Sequence, residues 1–197
     1  MKKVSLFLFV IFCFSCGNQE LNPIDYYNWF KSKDNLVVSE QTDDFKFTIE
    51  LKSPEFMALL SSQVNNQIDE ELYKKNLQNY EGQSIFFVKI SARDSSTEML
   101  KYKISDDKDY YHRIEYLSTT IKNDFLLVNN SDSLNCSMHI YERNYALTPF
   151  EQVILVFDNK LQNNSIDLIY NGELNNNIPI NFKFTRSNIK SIPKLNI

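Results

Sequence analysis

From residue 44 onward the chain alternates, with Phe45, Phe47, Ile49 and Leu51 apolar and Lys46, Thr48 and Glu50 polar between them. A period of two predicts a strand with one face buried. Phe86, Val88, Ile90 and Ala92 repeat the pattern, as do Leu100, Tyr102 and Ile104. Further strands are predicted over 36–39, 125–128, 136–141, 153–157 and 166–170, and Ile178, Ile180, Phe182 and Phe184 close the series. Helical signals are fewer and come earlier. Asn22-Pro23 reads as a cap followed by a first-turn proline, with Ile24, Tyr27 and Trp29-Phe30 on the helix behind it. Ser53-Pro54 repeats that start before an apolar run over 56–60, and Ile68, Leu72 and Tyr80 recur at helical spacing until Gly82 supplies a stop. Asp106 or Asp107 can cap a short helix reaching Leu117, and Asn171-Gly172 reads as a two-residue hairpin turn.

Helices cluster in the first half and strands in the second, the order of an α+β fold rather than of repeated βαβ units. The expectation is a single domain over 23–197, rich in antiparallel sheet and sandwich-like, with two to four short helices mainly in its first half.

The first residues follow another logic. Lys2 and Lys3 precede an apolar run from Val4 to Phe14 that only Ser5 interrupts. That run is far short of the about 20 residues needed to span a bilayer, and a basic start with a short apolar core reads as a secretory signal peptide. It ends in Cys13-Phe14-Ser15-Cys16-Gly17, which resembles a lipobox, although Cys13 stands where a leucine-like residue is usual. The resemblance implies a bacterial lipoprotein: a signal peptide over 1–15, a cut before Cys16, diacylglycerol on that cysteine, and a lipidated N-terminus and short tether over 16–22. Two or more acyl chains hold a protein stably where one does not. Gly17 is not the aspartate of inner-membrane retention, which favours the outer membrane; the membrane face stays open. Glu142-Arg143-Asn144-Tyr145, Pro149-Phe150 and Ile192-Pro193-Lys194-Leu195 also resemble lipoproteins of Bacteroidota type, a likeness that implies no particular activity.

Charge and composition narrow the chemistry. Without Lys2 and Lys3 the chain keeps 19 basic against 25 acidic residues, and no Lys or Arg run offers a nucleic-acid footprint. With Cys16 lipidated and Cys13 removed, Cys136 has no internal disulfide partner, and its apolar surroundings point to a buried, inert thiol. Glycine occurs three times, too rarely for the loops of a Rossmann or P-loop nucleotide site. Asparagine is abundant instead, and tolerates left-handed turns better than most residues.

Neither His112 nor His139 has a metal-ligand partner at a diagnostic spacing, and both read as surface histidines. Asp106, Asp107 and Asp109, and the 158–167 segment, lack the calcium-loop pattern. No metal and no cofactor is implied. Aromatic residues make up 14% of the chain; most suit strands and core, but Tyr141, Arg143, Tyr145 and Phe150 mix Tyr and Arg in a loop-like segment, a composition enriched at binding hot spots. The reading that follows is a membrane-anchored, non-catalytic module binding an envelope protein or a glycan. An envelope hydrolase built on His112 or His139 with dispersed carboxylates is the alternative, and a chaperone or inhibitor with a hydrophobic groove is a third.

Overall fold

The computed structural model describes residues 19–32, 34–64, 67–94, 96–129, 132–160 and 164–197. Residues 1–18, which include the expected signal peptide and Cys16, lie outside them. In chain order the elements are β1 (Glu20–Leu21), α1 (Pro23–Ser32), β2 (Val37–Gln41), β3 (Phe45–Lys52), α2 (Pro54–Leu60), β4 (Gln63–Val64), β5 (Gln67–Ile68), α3 (Glu70–Tyr80), β6 (Ser84–Ala92), α4 (Asp107–Glu115), β7 (Phe125–Asn129), β8 (Asp132–Asn135), β9 (Met138–Glu142), β10 (Phe150–Phe157), β11 (Ile166–Tyr170), β12 (Ile180–Phe184), α5 (Arg186–Lys190) and β13 (Lys194–Leu195). The fold is α+β and sheet-rich, with most helices in the first half, as the patterning predicts.

Two antiparallel sheets form a sandwich. One has the order β2-β3-β6-β10-β9, the other β12-β11-β7-β8. The period-two apolar positions meet between them: Phe47 packs against Tyr170 and Phe182, and Phe86 against Phe184. Burying such rings from both sheets is the main gain in stability. The chain crosses between sheets at Cys136-Ser137, directly after β8 and before β9. Cys136 is buried there, and burial pushes its thiol pKa up, consistent with an inert thiol.

The helices are set by their caps. Asn22 Oδ1 accepts the Asp25 amide at 3.0 Å, and Tyr26 and Phe30, one turn apart, are the buried face of α1. Ser53 Oγ accepts the Phe56 amide at 3.1 Å and meets Tyr26 Oη at 2.7 Å, tying the start of α2 to α1. Asp69 caps α3 and Asp106 caps α4. Gly82, at φ +84°, takes the left-handed position after α3. The α2–α3 pair covers part of the outer face of the larger sheet, where Met57 and Tyr80 pack on Ile85, Ile154 and Val156.

Four expectations are corrected. Residues 99–104 form no strand; they make a 3-10 turn over Met99–Lys101, and Lys103 is left-handed. The β11–β12 hairpin exists, but Asn171-Gly172 is not its two-residue turn. Residues 171–179 join the strands through a 3-10 turn, with Asn176 and Asn177 left-handed. Glu20–Leu21, expected within a tether over 16–22, instead pairs in parallel with Lys194–Leu195. There are five α-helices among the described residues rather than at most four, α5 being capped by Thr185.

Candidate functional site

The β9–β10 turn carries the sequence-predicted binding residues. Tyr145 and Ala146 both sit in the left-handed region, at φ 51° and 65°, which is rare for non-glycine residues and costly for a bulky one. Asn144 holds them there. Its Oδ1 accepts the Ala146 amide at 2.9 Å, while its Nδ2 donates to Thr148 Oγ1 at 2.7 Å and to the Phe150 carbonyl. The strained turn thrusts Tyr145 and Leu147 into solvent, 75% and 86% exposed. Arg143 lies with its guanidinium 4.9 Å from the Tyr145 ring centre and donates to Tyr110 Oη at 3.2 Å. Tyr111, also exposed, packs edge-on against Tyr110. Rings and a guanidinium thus form one surface from two elements.

Tyr141 and Phe150 do not join it. Strand alternation turns Tyr141 inward, where its hydroxyl donates to Glu151 Oε2 at 2.6 Å. Phe150 points to the other sheet face, with Lys89 Nζ 5.5 Å above its ring. Glu151 is 1% exposed, and its Oε1 has no hydrogen-bond partner. Burial raises its pKa, and Glu98 adds to the rise against the Tyr141 hydrogen bond and the pull of Arg143.

Strand β9 inverts the expected burial. Tyr141 and His139 pair with Val153 and Leu155 of the core face, whereas Met138 and Ile140 are exposed. His139 is therefore half-buried rather than on the surface, and burial lowers its pKa. His112 is exposed as expected, with Nδ1 3.5 Å from Glu173 Oε1. Among the described residues neither imidazole is hydrogen-bonded to a serine or cysteine side chain.

Near His112 lies a buried polar knot that sequence reasoning missed. Tyr116 Oη donates to Asp124 Oδ2 at 2.5 Å and meets Tyr170 Oη at 2.8 Å, and Tyr170 Oη accepts the Leu174 amide at 3.1 Å. A Cβ on Gly172 would lie 2.4 Å from Asp124 Oδ2 and 2.6 Å from both hydroxyls. Gly172 is there for close approach, not for a left-handed turn, since its backbone is extended at φ −136°.

A cleft of about 560 Å³ lies between α1, α2 and the outer face of the larger sheet. Glu50, Lys52 and Lys89 form its charged floor: Glu50 Oε2 is 2.8 Å from Lys52 Nζ and Oε1 is 2.5 Å from Lys89 Nζ. Lys52 is only 8% exposed, and Phe56, Phe87 and Phe30 have ring centres 5.1, 5.6 and 5.8 Å from its Nζ. Burial opposes ionisation of Glu50, but hydrogen bonds to Lys52 and Lys89 and their charges outweigh it and hold the carboxyl below its usual range.

No protein-family model matches the chain, and no curated protein matches it. A crystal structure of a protein of unknown function from Burkholderia pseudomallei K96243 is similar over 87% of this chain and 92% of its own, at 9% identity and a TM-score of 0.39, a likeness too low to carry an inference about fold or function.

Proposed function

We propose that this chain is an envelope lipoprotein, acylated on Cys16 and held in the outer membrane, whose folded domain docks a protein partner through the β9–β10 turn. The observation that carries the docking half is the strained, side-chain-pinned turn that exposes Tyr145 and Leu147 beside a fixed Arg143. Left-handed backbone at bulky residues costs of order 1–3 kcal/mol each and persists where the surroundings enforce it, often at sites of function. Tyr and Arg on a rigid support also lose little entropy on binding. The bare Leu147 side chain suits an apolar pocket on a protein better than a glycan.

The anchoring half is supported by the basic, apolar and lipobox-like order of residues 2–17. Since β1 begins at Glu20, an extended chain from Cys16 to the fold reaches at most about 14 Å. The domain then works close to the bilayer. Metabolic labelling with a fatty acid tests the anchor: label should enter the wild-type chain and not Cys16→Ala. A photo-crosslinking residue at position 145 should trap a partner in intact cells. An unlabelled wild-type chain or an untrapped position 145 would contradict the respective half.

A further inference from the structure

The cleft at α1–α2 has a charge imbalance at its floor, where two ammonium groups share the single carboxylate of Glu50. Across the whole lining, three lysines (Lys31, Lys52 and Lys89) face two acids, Asp34 and Glu50. The floor is thus positive in a chain whose mature charge is negative. Its walls are apolar, formed by Tyr27, Phe30, Phe56, Leu60 and Phe87. The rings shield Lys52 from water, which strengthens any charge interaction made there. The aliphatic stem of Lys52 packs among them. Lys89, with 31% of its side chain exposed, is the ammonium an entering group can reach. The volume is that of a small-molecule pocket.

We propose that this cleft binds a small organic carboxylate carried on an apolar body, its carboxylate held by Lys89 with the charge of Lys52 behind it, and its body lying on the Phe56 and Phe87 rings. One unbalanced positive charge matches a monoanion, and the aromatic walls match an acyl or aryl group rather than a bare inorganic ion. The site is separate from the Tyr145 surface and does not depend on it.

Calorimetric titration of the folded domain with 3-phenylpropionate, its methyl ester and inorganic phosphate tests this. The acid should bind saturably, with the ester and phosphate each at least about tenfold weaker, the size of a lost charge-assisted hydrogen bond. Lys89→Gln should weaken the acid by a similar factor. Glu50→Gln, which leaves both ammonium groups uncompensated, should tighten it, an effect that a merely structural ion pair would not give. Circular dichroism establishes that each variant is folded. No saturable binding of the acid, equal binding of the ester or phosphate, or no change in Lys89→Gln would each overturn the assignment.

Discussion

Two glutamates on neighbouring regions of one sheet meet opposite electrostatic fates. Glu50 faces outward from β3 into the cleft, and two ammonium groups hold it ionised against its own burial. Glu151 faces inward from β10, meets one tyrosine hydroxyl, leaves Oε1 unpartnered, and has its pKa raised by burial. Depth alone does not decide a carboxyl's state; the charge and hydrogen bonds within reach do. The outer face can therefore present fixed charge to a ligand, whereas the carboxyl beneath the β9–β10 turn gives up its proton less readily than a free one.

The largest effect separating the two should come from Lys52→Ala, which removes one of Glu50's cations and a stem packed among three rings. Denaturant unfolding should show a loss of about 2–3 kcal/mol, below the value for a fully buried pair because Lys89 remains. A loss below about 0.5 kcal/mol, the scale of an exposed ion pair, would break the contrast.

Tyr141→Phe comes next. It strips Glu151 of its donor and should destabilise the domain by about 1–2 kcal/mol at neutral pH, less in acid where the carboxyl is protonated.

Glu151→Gln should have the smallest effect, a gain of about 1 kcal/mol near neutral pH. The sign follows from linkage. A folded pKa above the unfolded one means the folded state keeps its proton longer. Stability therefore falls as pH rises from the ordinary carboxylate range through the raised value, and the deficit is full above it. For Glu50 the folded pKa is lowered, so its contribution is full above the unfolded pKa and is lost as pH falls through the folded one. Thermal melts across pH should thus lose, in Glu151→Gln, the decline that sets in as pH rises from the ordinary carboxylate range, and, in Glu50→Gln, part of the decline on acidification. Parallel profiles for the two variants would contradict the comparison.

Much of the fold was legible because it is written in local chemistry. Phe45 to Leu51 alternates cleanly, and Asn22-Pro23, Ser53-Pro54 and Gly82 carry their own cap geometry. The misreadings arose where tertiary contacts override such signals. Asn171-Gly172 looks like a turn, but Gly172 is fixed by two tyrosines and Asp124, which come from other elements. On β9 the polar-looking positions His139 and Tyr141 turn inward, because the sheet offers them Glu151 and the core while Met138 and Ile140 are left at an edge. The candidate surface was half legible: Arg143, Tyr145 and Leu147 lie within one short segment, whereas Tyr110 and Tyr111 join them only through the packing of α4 beside the turn. The cleft left no trace in the sequence, since Glu50, Lys52 and Lys89 read as the solvated face of ordinary strands until α1 and α2 close over them.

The account's central claim, a docking surface on a lipid-anchored domain, is tested most directly by quantitative cross-linked pull-down of the full-length lipidated protein from its native envelope. Wild type would be compared with Cys16→Ala and with a Tyr145→Ala, Leu147→Ser double variant shown to be folded and acylated. The account predicts one stoichiometric partner with wild type, lost in Cys16→Ala and reduced at least about tenfold in the double variant, as expected for a hot-spot pair. A partner retained at full stoichiometry by the double variant, or none recovered with wild type, would contradict it.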